Sequence, residues 1–200
     1  VLIRVKGAGV NNTDINTRIG WYSKSADNMS NDGSWSGNPL DFPIIQGADI
    51  CGNIVAVGSQ VNQSRIGERV IVRTMQTVPE NQKNFSAWTV GSECNGGFAQ
   101  YAAIRSSEAF VINSNWTDAE IASIPCAYST AEGLLHRSRV GKEKVFITGA
   151  SGGVGSAAIQ LAKLRNATVI AQCSSEKKDK VKKIGADQIV FRDSDLIEEL

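Results

Sequence analysis

The chain has 200 residues, 42% of them hydrophobic and 20% charged, with a formal net charge of +1. That is the composition of a globular protein with enough chain to bury one large core or two small ones. The balanced charge argues against nucleic acid as a partner, and no apolar run reaches the roughly 18 residues that a membrane span needs.

In chain order, the first element is the strand-like run VLIRVKGAGV, which Val1 opens abruptly; DLIEEL at the other end reads as a helix just beginning. Both ends therefore read as cut, and a targeting segment could have preceded Val1. Residues 1 to about 115 alternate short β-rich runs (GNIVAVG, ERVIV, GGFAQYAAI, AFVI) with Gly, Asn, Ser and Asp. Many short strands without long helices predict a barrel or sandwich. Between them SKSADNMSNDGSWSGNPLDFP is polar and turn-rich. It reads as a loop, a natural place for disorder or for a flap over a substrate.

From Trp116 the pattern changes. Thr117 with Glu120 three residues on is a capping-box spacing, and Ser129 or Thr130 before Glu132 repeats the signal. Strand KVFITGA, helix VGSAAIQLAKLR, strand ATVIAQC, helix EKKDKVKKIG and strand DQIVF then follow over short connections. This alternation predicts an α/β domain with a parallel sheet. The reading is of two domains, 1–115 and 116–200. The charge run in EKKDKVKK fits the solvated face of a helix. The four cysteines, Cys51, Cys94, Cys126 and Cys173, are scattered with no CxxC, which fits reduced thiols and a cytoplasmic protein. The single histidine, His136, falls late in a helix, where it suits the C-terminal end.

The stretch with the most chemistry is VFITGASGGVGSAAIQLAK, residues 145–163. A strand feeds a glycine-rich turn and a helix leaves it. Unpaired N–H groups and a partial positive charge at such a helix start attract a pyrophosphate. Ala150, Ser151, Gly152, Gly153, Val154 and Gly155 have the spacing of the dinucleotide fingerprint, with alanine in the first glycine's place. Alone, that spacing could be a structural turn; the flanking strand, helix and second strand favour a dinucleotide. No Gly-Lys-Ser/Thr follows, which disfavours a nucleoside-triphosphate loop. After the second strand the chain reads Ser174-Ser175-Glu176-Lys177-Lys178. Hydroxyls with Lys178 suit the 2′-phosphate of NADP(H), where an acid would favour NAD(H). Plain surface charge is the alternative for Lys177 and Lys178.

VNNTDINTRIGWY, FPIIQGADICGNIVAVG, IGERVIV, GGFAQYA, IPCAYSTAEGLL and ITGASGGVGSAAIQLAK, in that order, resemble the medium-chain dehydrogenase/reductases, above all their zinc-free quinone oxidoreductase and enoyl reductase branch. The resemblance covers nearly the whole chain. It implies a GroES-like β-barrel catalytic domain followed by a Rossmann domain, here in its first part only, since the family's chain continues past residue 200. It also implies a homodimer for the complete protein. The substrate class would be a small electron-poor molecule, a quinone or an α,β-unsaturated carbonyl, reduced by hydride from NADPH.

The family's zinc enzymes carry a ligand segment that here reads Asn11-Asn12-Thr13-Asp14, and a Gly-His-Glu that here reads Gly47-Ala48-Asp49. Cys126 keeps the third ligand position. An amide, a methyl group and one thiol make a poor tetrahedral zinc site. Of the four cysteines of the family's second, structural zinc, only Cys94 has a counterpart. The resemblance implies that Asn11 and Tyr22 stand near the nicotinamide, that Thr13 is the hydroxyl of a proton relay, and that Thr130 lies beside the nicotinamide face. Asp14 and Asp49 read as fasteners of strands and loops. Structural alternatives stay open: Asn11 satisfying backbone groups at a strand end, Tyr22 packed beside Trp21, Cys126 as a small buried residue. Two rival functions stay open as well, a zinc-dependent alcohol dehydrogenase and an NADPH-binding protein without turnover.

Overall fold

A computed structural model describes residues 1–22, 33–40 and 42–195. Most of the polar loop of residues 23–43 and nearly all of the terminal DLIEEL lie outside the described residues. The chain divides into two compact units, Val1–Cys126 and Ala127–Leu200.

The first unit is built on β1 (Leu2–Gly9), α1 (Asn12–Arg18), β2 (Asp49–Ala56), β3 (Arg69–Val72), β4 (Met75–Gln76), β5 (Trp88–Thr89), β6 (Tyr101–Ala103), β7 (Ala109–Val111) and α2 (Asp118–Ala122). Five strands form an antiparallel sheet in the order β6-β1-β2-β3-β7, and β4 pairs with β5 in a separate two-stranded ribbon. Branched aliphatics carry the core: Ile3, Ile50, Ile54, Val70 and Val72 are sealed from solvent. Each such side chain contributes about 1.5–3 kcal/mol by its burial.

Two local features differ from the expectation. The residues after β1, expected as turn, form the seven-residue helix α1. Asp14 explains it: Oδ2 accepts the N–H of Asn11 at 2.8 Å, and Oδ1 accepts the N–H of Ala48 at 3.1 Å. A local cap and a tertiary tie thus meet on one carboxylate and hold a helix too short to stand by propensity. Helix α2 does begin at its capping box, with Glu120 Oε2 accepting the Thr117 N–H at 2.7 Å. It packs on β1 and β2, so the division of the chain falls at Cys126, about ten residues beyond the change in sequence pattern.

Helix α3 runs Pro125–Arg137. It starts four residues before the Ser129 cap expected for it, on a proline whose missing N–H costs nothing in the first turn. The second unit continues with β8 (Lys144–Ile147), α4 (Gly153–Leu164), β9 (Thr168–Cys173), α5 (Lys178–Lys183) and β10 (Gln188–Phe191). The strands form a parallel sheet in the order β10-β9-β8, as the alternation predicts. Every second residue of β9 is buried: Val169, Ala171 and Cys173. Helix α4 turns Gly155, Ala158, Ile159 and Ala162 inward, one face at helical spacing, and its small residues let it lie close to the sheet. Lys163 and Asp187 brace the layer, with Nζ 2.7 Å from Oδ2.

Candidate active site

In the first unit, the residues that follow β1 and those that open β2 meet through side chains. Asn11 caps the extended entry to α1, and its Nδ2 donates to Asp49 Oδ2 at 2.9 Å. Asp49, the first residue of β2, is fully buried. Its Oδ1 accepts from Thr74 Oγ1 and from the N–H of Cys126, both at 2.8 Å. Burial pushes the Asp49 carboxyl above the usual aspartate range; the three donors pull it back, and the charge of Asp14 adds to the upward push. Asp14 and Asp49 both fasten segments, as the sequence reading has it. Asp49 does so by holding Asn11 itself.

Thr13 and Tyr22 form a second pair. The Tyr22 hydroxyl donates to Thr13 Oγ1 at 3.2 Å and accepts a long bond from Asn16 Nδ2 at 3.5 Å. The Tyr22 ring stands edge-on to Trp35, with centroids 4.6 Å apart, while Trp21 is largely exposed. Tyr22 is thus packed by Trp35 rather than by its chain neighbour. Trp35 is held in turn, its N–H donating to Ser92 Oγ at 2.9 Å. Of the three expected catalytic residues, Thr13 and Tyr22 are hydrogen-bonded to each other. Asn11 is tied to Asp49.

The donor chemistry does not suit zinc. At the family's three ligand positions stand Asn11, with Nδ2 turned to a carboxylate, the methyl group of Ala48, and Cys126. Burial, with the Asp49 and Asp14 charges, pushes the Cys126 thiol up to about 11. Both Asp49 oxygens are taken by hydrogen bonds. Among the described residues no group of three or more His, Cys, Asp or Glu side chains is placed to hold a metal ion. The lobe that carries Cys94 is braced by other means. Glu93 accepts the N–H groups of Ser36 and Thr89 at 2.7 and 2.8 Å, and Phe85 meets Trp88 edge-on at 5.3 Å.

In the second unit, the glycine turn sits at the C-terminal end of β8, tied to the neighbouring strand by the Ala150 N–H, which donates to the Gln172 carbonyl at 3.1 Å. The four glycines divide by what requires them. Gly149 has φ +58°, a left-handed conformation that side chains disfavour. It supplies the tight turn in place of the residue at position 150, where the fingerprint has glycine and this chain a buried alanine. Gly155 is required by packing, since a Cβ there would stand 2.4 Å from the Gly149 carbonyl oxygen. Gly152 is held only by a close approach to the Gly149 carbonyl oxygen, and Gly153 by neither. An added Cβ would meet nothing nearer than 3.3 and 3.6 Å, and both residues are exposed. They open α4 without a side-chain cap. Ser151 and Val154 are partly exposed on the same turn. This bare, positively polarised rim fits a pyrophosphate.

The other expected cofactor residues are all at the surface or close to it. Ser174 and Ser175 follow directly on β9, the strand beside the turn, and open a 3-10 turn that contains Glu176. Lys178 begins α5, with Nζ 6.0 Å from the centroid of Phe191 on β10. Thr130 lies on α3, exposed, four residues after Cys126. Sequence reasoning missed Gly149, whose signal was its place between a strand and a buried alanine. It also missed Thr74 and Trp35, which carry no local signal at all.

Comparison with known proteins agrees with this geometry. The alcohol dehydrogenase GroES-like domain family matches residues 1–114, and the zinc-binding dehydrogenase family matches residues 153–200. A chloroplastic quinone-oxidoreductase homolog from Spinacia oleracea is 33% identical over 76% of this chain and 44% of its own length. A chloroplastic NADPH-dependent alkenal/one oxidoreductase from Arabidopsis thaliana is 31% identical over 100% of this chain and 47% of its own. The crystal structure of a candidate alcohol dehydrogenase from Sinorhizobium meliloti 1021 superposes with a TM-score of 0.86 at 40% identity, over 100% of this chain and 56% of that one. The chain thus spans about half the length of the relatives it matches. Among the described residues no helix is long and apolar enough to cross a membrane. With a sheet of the GroES-like kind before a glycine-opened parallel α/β unit, and both family matches in that order, the chain belongs to the medium-chain dehydrogenase/reductase superfamily.

Proposed function

We propose that this chain is part of an NADPH-dependent oxidoreductase that reduces a quinone or an α,β-unsaturated carbonyl compound without zinc. The observation that carries the reading is the exposed Gly153, which neither backbone conformation nor packing demands, beside the equally exposed Gly152. Their bareness serves something that approaches from outside.

When bound, the cofactor supplies the hydride. The protein's part falls to its side chains. The N–H groups of Ser151 and of the first turn of α4, Gly153 to Gly155, would receive the pyrophosphate, and Thr130 would face the nicotinamide. Ser174, Ser175 and Lys178 would receive the 2′-phosphate, for which Lys178 must turn from Phe191. Asn11 would donate its remaining amide N–H to a substrate oxygen on which negative charge develops. Thr13 would give that oxygen a proton and regain one from Tyr22, whose hydroxyl already donates to it. The four free cysteines and balanced charge fit a reducing compartment such as the cytoplasm and a substrate that is a small molecule rather than nucleic acid. A homodimer belongs to the same reading, by resemblance alone.

The test is a titration with NADPH and with NADH, followed by turnover with a panel of quinones and enones and metal analysis of the same preparation. Tighter NADPH binding and metal-free turnover are expected. Stoichiometric zinc would favour an alcohol dehydrogenase. Tight NADPH binding with no acceptor reduced would favour a binding protein.

A further inference from the structure

We infer that Asp49 is the positioning residue of Asn11: it fixes which way the side-chain amide faces and so which polar atoms Asn11 offers to a ligand. The inference rests on the proposed role of Asn11 in polarising a substrate oxygen.

An asparagine amide can be turned end for end at almost no steric cost, exchanging a donor for an acceptor. Something must therefore choose for Asn11, and a carboxylate can, because it only accepts. With Asp49 Oδ2 at 2.9 Å, Nδ2 is the atom that must face inward. One N–H is committed there; Oδ1 faces the Asp14 N–H in the capping box that opens α1, and the other N–H remains for a ligand. Asp49 is itself held. It is fully buried at the start of β2, and two further donors grip its other oxygen: Thr74 from beyond β3 and the Cys126 N–H in the first turn of α3. Three segments distant in the chain thus converge on one carboxyl group, and only one of its bonds leads to a proposed catalytic residue. Among the described residues no Lys or Arg pairs with Asp49. Burying an acid without a cation is costly. The three donors and the positive end of α3 offset that cost. A purely structural fastener could be a neutral side chain; an acceptor at both oxygens is what fixing an amide requires.

Asp49→Asn is the informative variant. It is isosteric and keeps an oxygen for Thr74 and Cys126, but turns an NH₂ group toward Asn11, so the Asn11 amide must reverse. The expected result is a fall in kcat of about 100-fold in NADPH-driven enone reduction, as for loss of one oriented donor. KM and NADPH affinity should change less than about twofold, because no substrate-binding contact is removed. Asn11→Ala should lose as much, and the double variant no more than either. Losses that multiply in the double variant, or a loss confined to KM, would overturn the inference. A second readout needs no turnover. In wild-type protein the Asn11 side-chain amide, assigned by its disappearance in Asn11→Ala, should give a downfield, exchange-protected proton in nitrogen-edited NMR. A proton at the free-amide position refutes the positioning even if Asp49→Asn fails to fold. A downfield proton together with turnover indifferent to Asn11→Ala keeps the contact and removes instead the catalytic role of Asn11, and with it the use of the positioning.

Discussion

The glycine turn of the second unit and the Asn11–Asp49 cluster of the first are built by opposite means. The turn is made of main chain, from residues 149 to 155, and what matters is the side chains it lacks. The cluster is made of side chains from residues 11, 49 and 74, closed by the Cys126 N–H. A site of consecutive backbone is insensitive to everything but steric bulk. A site of converging side chains depends on the chemistry of each member. The two should fail differently.

Asn11→Ala should show the largest effect, a fall in kcat of about 10²–10³-fold with NADPH binding intact. Single-turnover kinetics at saturating NADPH would check it; an equal loss of NADPH affinity would erase the contrast between the two sites. Next come two substitutions within the turn. Gly155→Ala forces a Cβ against the Gly149 carbonyl and should cost about 1–3 kcal/mol of stability in denaturant unfolding. Gly153→Ala meets nothing nearer than an ordinary contact at 3.6 Å and should leave stability within about 0.5 kcal/mol while weakening NADPH roughly tenfold. If both variants bound NADPH as the parent does, the turn would not be a phosphate site. Lys178→Glu should weaken NADPH about tenfold more than NADH, since a charge-assisted bond to a phosphate contributes about 1.5–3 kcal/mol. Matched losses for the two coenzymes would remove the case for 2′-phosphate recognition.

The smallest effect should come from Asp187. The hydrogen bond from Lys163, then the Val169 N–H, hold its carboxyl below the usual aspartate range. A lowered folded value means the stabilisation is complete above the ordinary aspartate pKa and disappears as pH falls through the folded one. Asp187→Asn should therefore flatten the acid limb of the unfolding profile below about pH 4, only slightly because the pair is exposed. An unchanged limb would show that solvent screens the pair completely.

How much of this was legible in the sequence followed the same division. The strands of the parallel sheet and the helix between the first two could be read from alternation and spacing, since Val169, Ala171 and Cys173 mark one face of β9 by themselves. The capping box at Thr117 was legible because its partners are three residues apart. Helix α1 was not: its Asn11–Asp14 capping box is local, but the second bond that secures Asp14 comes from Ala48, 34 residues away. The start of α3 was misplaced for a different reason: Ser129 and Thr130 look like caps, yet Pro125 opens the helix four residues earlier. At the site, Asn11, Thr13 and Tyr22 were picked out by resemblance, and nothing local foretold that Tyr22 would bond Thr13 and lean on Trp35.

The sequence by itself determined the order of the two units, the bareness of the turn and which residues, Asn11, Ala48 and Cys126, stand at the family's three ligand positions. Each of these is a property of residue type and near spacing. Tertiary structure alone decided that Gly149 carries the left-handed turn, that Gly155 is held to glycine by packing while Gly153 is not, and that Asp49 faces Asn11. Those outcomes depend on distances of a few ångströms between atoms far apart in the chain, and such distances exist only once the backbone has closed on itself.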